Sequence, residues 1–347
     1  MANIFKTNCR NIVRNCTLLF GVHFLFITGS VNAQQRSRSS KTVVKIKINN
    51  PVINIAFADP TVIRTASGKY YAYATQGNGQ NIQVAYSNDL FHWEKEQDAM
   101  PEKPVWANNT SSFWAPHVLY DVSIKKYVLF FSSASNDTTT GKCIGVAFAD
   151  LPTGPFIDKG SPLICGEGFV NIDPMALVDP ATKKKLLFWG SGFKPIKVQE
   201  LTNDWKNFKT GTTALDLVWP GKEADYTNLL EGAWVDCQDG KYYLYYSGDN
   251  CCGKKAHYAV MVAKADNAIG PYQRLGETNK TGSSIILAQD STWLAPGHNS
   301  IFKDSKGNKW IAYHAIDRKN NYKKNGISRR VMLIKRIVYK NGWPVVK

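Results

Sequence analysis

The stretch "EGAWVDCQDGKYYLYYSG", Glu231 to Gly248, decides the fold. An apolar run, "EGAWV", meets a polar turn, "DCQDGK", and returns as the aromatic strand "YYLYYSG", which together spell a β-hairpin. The same succession occurs four more times. Aromatic strands begin at Tyr70 ("YYAYAT"), Tyr127 ("YVLFFSS"), Leu186 ("LLFWGSG") and Trp310 ("WIAYHA"), each after a turn of the same chemistry, as in "TASGK" and "KDSKGNK". Upstream of these turns stand "DPTVIR", "APHVLY", "DPMALV" and "HNSIF". A third strand follows each hairpin ("IQVAYS", "IGVAFA", "IKVQEL", "YAVMVA", "RVMLIK"), and then a polar turn closes on an aromatic. The hairpins begin at Asp59, Ala115, Asp173, Glu231 and His298, at intervals of 56, 58, 58 and 67 residues. Five copies of three or four strands predict an all-β, five-bladed β-propeller over residues 51–347. No long stretch has the 3.6-residue period of a helix.

The ends and the composition bound what such a propeller can do. Lys6, Arg10 and Arg14, the apolar stretch "TLLFGVHFLFI" and the small-residue site "VNA" read as a secretory signal peptide over 1–33. That apolar stretch is too short to cross a bilayer. Residues 34–50, "QRSRSSKTVVKIKINN" among them, read as a basic flexible arm. The net charge of +16 is mostly solvated surface, with some attraction toward an acidic matrix such as pectin, and no nucleic-acid module is recognisable. Five of the seven cysteines lie beyond the signal: Cys143, Cys165, Cys237, Cys251 and Cys252. One or two disulfides are expected, with the pairing open and at least one thiol left over.

In a propeller the first strands of all blades line the central channel, so equivalent starting residues converge at one mouth. Three of those residues are acids, Asp59, Asp173 and Glu231, and a fourth is His298. Asp179-Pro180, by contrast, reads as a turn opener and nothing more. Three acids round a small-molecule site suit glycoside hydrolysis, in which one carboxyl protonates the departing oxygen and one carboxylate activates water. Glu231, flanked by Leu229, Leu230, Ala233 and Trp234, suits the proton donor. Asp59 suits the ionised base, and Asp173 the anion that raises the pKa of Glu231. Base and acid on different blades leave room for a water and imply inversion.

These residues resemble glycoside hydrolase family 43, the secreted arabinanases, arabinofuranosidases and β-xylosidases on a five-bladed propeller. The motifs are "FADPTVI", "SSFWAPHV", "NIDPMAL", "LLEGAWV" and "APGHNSIF", one per blade and in that order. The resemblance implies the same three catalytic roles for Asp59, Asp173 and Glu231. It implies substrate-binding roles for Phe113, Trp114, His117, Asn171 and Trp234, with Phe113 and Trp114 stacking on a sugar face. His117 stands where the family commonly has an acid. It further implies His298 beside a metal ion, calcium in arabinanase-like members, at the channel centre. "YHAID" and the closing "NGWP" look more like the arabinan-acting branch.

The expected function is therefore a secreted, extracellular hydrolase of α-L-arabinosidic linkages in cell-wall polysaccharide, endo-arabinanase or α-L-arabinofuranosidase. A β-xylosidase acting on xylan oligosaccharides is the alternative within the same chemistry, and a non-catalytic carbohydrate-binding propeller the alternative of another class. The expected partner is a polysaccharide or oligosaccharide. Nucleic acid and stable membrane association are not expected, and the chain is expected to be monomeric.

Overall fold

Every repeat folds into an antiparallel sheet whose strands lie side by side in chain order, the channel-lining strand first. The computed structural model describes residues 48–190, 192–221 and 226–347. The signal peptide expected over 1–33 and all but the last three residues of the basic arm lie outside the described residues.

Blade 1 comprises Thr61–Arg64, Tyr70–Ala74, Gln83–Ser87 and Glu94–Lys95. Blade 2 comprises Phe113–Asp121, Lys126–Ala134, Lys142–Ala149 and Ile157–Asp158, and blade 3 Met175–Val178, Lys185–Trp189, Ile196–Leu201 and Leu215–Val218. Blade 4 has Leu230–Gln238, Lys241–Asn250, His257–Ala265 and Gln273–Arg274; blade 5 has Trp293–Lys303, Lys309–Asp317, Arg330–Lys340 and Trp343–Val346. Each inner strand touches the inner strand of the next blade, and that of blade 5 touches that of blade 1, so the five form a closed ring. The expected five-bladed propeller is the observed architecture. Helix among the described residues amounts to one turn, Leu275–Thr278, and a 3₁₀ turn, Val105–Ala107.

The second strands explain why the repeats are so aromatic. Every residue of Tyr70–Ala74 and Lys185–Trp189 is buried, because a blade is covered on both faces by its neighbours. The apolar clusters accordingly lie between blades: one joins Tyr73 and Val84 to Phe113 and Phe131, another Phe130 and Val146 to Leu187 and Trp189.

At the end of the ring away from the acids, the hairpin turns latch blade to blade. Lys185 of blade 3 is buried with its ammonium on Asp121 of blade 2, Tyr242 of blade 4 donates to Asp179 of blade 3, and Lys309 of blade 5 reaches Asp236 of blade 4. Asp179 thus does more than open a turn. Besides accepting from Ala181 N and Thr182, it takes the phenol of the next blade.

Closure of the ring falls to the segment before blade 1. Val52 and Ile53 donate to Met332 O at 3.0 and 3.3 Å, Met332 N returns a bond to Ile53 O, and Phe57 N donates to Arg330 O at 2.7 Å. Asn50 adds a two-way bond between its side chain and the backbone of Ile334. The open question of the cysteines resolves to one disulfide: Cys143–Cys165 joins the third strand of blade 2 to the added strand Ile164–Gly166. Cys237, Cys251 and Cys252 are free thiols.

Candidate active site

The inner strands bring to one mouth of the channel five residues with left-handed backbone: Asp59 (φ 56°), Ala115 (47°), Asp173 (58°), Gly232 (62°) and His298 (45°). Four of the five carry a Cβ and adopt this conformation at a cost, and strain gathered at equivalent positions is the mark of a functional ring. The matched positions therefore differ by one residue from the expectation in blade 4. Glu231 precedes the ring, and Gly232 occupies it. A Cβ at Gly232 would sit 3.2 Å from Cγ of His298, so glycine lets this left-handed backbone lie against the imidazole without crowding it. Glu231 consequently pairs with Ser247, ahead of the register shift that ends at Trp234.

Left-handed residues cannot spend their N–H groups on the strand ladder, and the preceding blade supplies acceptors. Thr75 Oγ1 receives Ala115 N at 2.9 Å, Ser132 Oγ receives Asp173 N at 2.8 Å, Ser247 Oγ receives His298 N at 2.8 Å, and His314 Nδ1 receives Asp59 N at 3.2 Å. All four occupy matching places on the buried second strand or at its end, five residues after its start at Tyr70 and Lys309 and six after it at Lys126 and Lys241. In blade 3 that place is Gly190, which has no side chain. The N–H it leaves, that of Gly232, goes instead to Asp173 Oδ2 at 3.1 Å.

The two ring carboxyls live in opposite fields. Asp59, 6% exposed, accepts from Thr75 Oγ1 and, at 2.9 Å, from Arg330 Nη1. Burial alone would raise its pKa, but the charge of Arg330 outweighs it and holds the carboxyl well below the usual range. Asp173, 5% exposed, has the single backbone donor. Burial and then the neighbouring charges of Glu231 and Asp59 push it well above the usual range. Glu231 is half-buried and accepts from Tyr258 Oη at 2.8 Å. Burial first, and Glu231 next, keep that phenol protonated and donating. Asp173 is thus pushed toward its protonated form beside Glu231, whereas Asp59 is held as an anion. His298 lies between the acids, its Nδ1 3.5 Å from Asp59 Oδ1 and 3.6 Å from Asp173 Oδ2, and burial favours its neutral form.

A family comparison agrees with this constellation. The profile of glycosyl hydrolases family 43 matches residues 48–344, nearly the whole of the described chain. The chain belongs to family 43 of the glycosyl hydrolases. This glycosyl hydrolase is 27% identical over 298 residues to the extracellular endo-α-(1→5)-L-arabinanase 1 of Bacillus subtilis, covering 82% of this chain and 86% of that one. It is 26% identical over 309 residues to a β-D-galactofuranosidase of Aspergillus niger, covering 81% and 80%. Its fold matches the α-L-arabinanase of Cellvibrio cellulosa complexed with arabinohexaose with a TM-score of 0.70 at 20% identity, over 85% of this chain and 96% of that one.

Within this family 43 hydrolase the expected sugar contacts divide. Trp114 is half-exposed and stacks on Phe169 at 6.2 Å, with Lys142 Nζ 5.0 Å from its ring. Phe113 cannot stack on a sugar. Strand alternation turns it to the other face, where it is wholly buried against Phe131. Trp234 and His117 are also buried, ring against ring at 5.1 Å, and burial holds the His117 imidazole down to about 3, so it is neutral. Asn171 is buried too, its Oδ1 accepting the indole N–H of Trp189 at 2.9 Å. These four shape the walls, and Trp114 with the 52%-exposed Phe169 offers the aromatic surface. Sequence reasoning missed Phe169, Tyr258, Arg330 and the cap residues. The caps alone had a readable signal, a Thr, Ser, Gly, Ser, His series at one place of the repeat.

For the expected calcium ion, His298 offers one imidazole. The carboxylate oxygens nearest to it are already engaged, by Arg330 and by Gly232 N–H. Among the described residues no group of three or more His, Cys, Asp or Glu side chains is gathered for a metal. Calcium prefers six to eight oxygens, so these residues fit an ion coordinated mainly by water with His298 as its protein ligand, and do not fit a protein cage.

Proposed function

We propose that the protein is an exported inverting hydrolase of α-L-arabinosidic linkages in arabinan, with Asp59 as general base, Glu231 as general acid and Asp173 as the group that tunes Glu231. The observation that carries this reading is the split at the channel mouth: Asp59 accepts from Arg330 and is held ionised, whereas Asp173 accepts from Gly232 N–H and is pushed well above the usual range beside Glu231. Hydrolysis with inversion needs those two states at once. Asp59 takes the proton of a water that attacks the anomeric carbon, and Glu231 delivers a proton to the departing glycosidic oxygen. Tyr258 holds the Glu231 carboxyl in place through this step. Trp114 and Phe169 supply the sugar platform, since the apolar face of a furanose stacks on aromatic rings. The arabinanase of B. subtilis among the relatives favours arabinan, and its extracellular description agrees with the signal peptide read at 1–33.

A calcium ion at His298 belongs to the same proposal as an electrostatic support that offsets the two nearby acids, with no step passing through it. The protein acts as a monomer on a polysaccharide or oligosaccharide. Incubation with linear arabinan, arabinoxylan and aryl α-L-arabinofuranoside, β-D-xyloside and β-D-galactofuranoside tests the reading. Arabinose or its oligomers, released with inverted configuration by proton NMR, is the expected result, and the sizes over time separate endo from exo action. Turnover of the xyloside or galactofuranoside alone would overturn the substrate assignment.

A further inference from the structure

The loop that leaves the second strand of blade 4 carries two adjacent thiols that the hydrolytic chemistry does not use. Cys251 and Cys252 place their sulfurs 2.6 Å apart, well inside van der Waals contact. Both are partly exposed. Cys251 lines a cleft of about 230 Å³ together with Glu231, Asn228, Leu229, Asp249 and Phe193. It also packs in the cluster of Tyr258, the residue that holds Glu231. The loop is fixed on either side of the pair: Asn250 Nδ2 donates to Lys255 O at 3.0 Å, and Gly253 N to Ser328 Oγ at 2.8 Å. The chain also joins Cys143 to Cys165 in a disulfide in blade 2.

We propose that Cys251 and Cys252 are a redox pair that closes to a vicinal disulfide, forming a wall of the substrate cleft beside Glu231 and tightening its grip on the sugar. The oxidant is a small disulfide such as oxidised glutathione. The Cys252 thiolate attacks one of its sulfurs and expels one glutathione thiolate. Cys251 then attacks the Cys252 sulfur, expelling the second, and the two cysteine protons end on the two glutathiones. The protein loses two electrons and the oxidant gains them. The surroundings suit this order. The hydrogen bond from Cys251 draws the Cys252 thiol down to about 7 against the cost of burial, with the charge of Arg330 assisting, while the same bond raises Cys251. Closure replaces two S–H groups by a rigid ring with no donor, a flatter apolar surface for the C–H face of a sugar.

The effect on sugar binding rests on the hydrolase reading, whereas the bond itself does not. The full chain is equilibrated in glutathione buffers from reducing to oxidising, quenched in acid, alkylated and digested. The peptide spanning 251–252 is expected to be two hydrogens lighter and unalkylated in oxidising buffer, with Cys237 alkylated throughout. Two alkylated cysteines, or stable mixed disulfides, at every ratio overturn the proposal. Arabino-oligosaccharide KM, and binding by tryptophan fluorescence, are expected to improve by about tenfold on oxidation, the scale of one apolar contact in a pocket. A Cys251→Ser/Cys252→Ser variant is expected to show the same KM in reducing and oxidising buffer, whatever its own value. A response that persists in the variant, or its absence in the parent despite a formed disulfide, overturns the role at the cleft. Disulfide formation and redox-dependent sugar binding without turnover would instead overturn the hydrolase reading alone.

Discussion

Blades 1 and 3 begin with the same two residues, Asp-Pro, in the same left-handed conformation and at the same depth, yet Asp59 is an anion and Asp173 keeps company with a proton. Backbone and burial being equal, the difference comes from what the neighbouring blades contribute. Blade 5 gives Asp59 a guanidinium and blade 1 its own Thr75 hydroxyl, whereas blade 4 gives Asp173 one N–H and a second carboxyl. A pseudo-symmetric scaffold thus sets two carboxyls of one motif in opposite fields by breaking the symmetry in the shell around them.

The comparison can be broken from either side. The largest loss is expected where the proton is delivered: Glu231→Gln should lower kcat/KM by about 10³ to 10⁴, the full worth of a general acid, while oligosaccharide binding persists. Arg330→Met makes Asp59 resemble Asp173. Its pKa rises, so the acid limb of the kcat/KM profile should move to higher pH, and leaving a buried carboxylate unpaired should cost about 3 kcal/mol of stability by denaturant titration near neutrality. Asp173→Asn removes the titrating neighbour of Glu231, so the alkaline limb should move to lower pH. Its effect on stability has a definite sign. Asp173 has a folded pKa above its unfolded one, so its contribution is complete below the unfolded value of about 3.9 and is lost as pH rises through the folded value. The Asn variant should accordingly melt above the parent in alkaline buffer, and that advantage should fade as pH falls. Smallest is Thr75→Val, which removes one donor from Asp59 and one acceptor from Ala115 N–H, for about 1 to 2 kcal/mol and a slight upward shift of the acid limb.

Local chemistry made the scaffold legible. Each hairpin carries its own turn and aromatic strand, so five blades and three acids could be counted along the chain. The register of Glu231 could not, because Gly232 earns its place through an imidazole 66 residues further on. Phe113 and Trp114 are adjacent aromatics whose fates separate only when alternation turns one inward. Arg330 stood unnoticed among the basic residues of the tail, since the acid it serves is 271 residues away and the pair exists only across the closed ring.

That closure has a consequence for synthesis. The strap from Asn50 to Phe57 is bonded to Arg330 O and Met332, and two residues beyond Phe57 the chain reaches Asp59, which Arg330 keeps charged. The first residues of the propeller to leave the ribosome therefore wait for nearly the last before Asp59 meets the guanidinium of Arg330. A nascent or truncated chain, even with four blades folded, holds an Asp59 without its counter-ion. The Asp59–Arg330 pair arrives in one step, with the joining of the two ends.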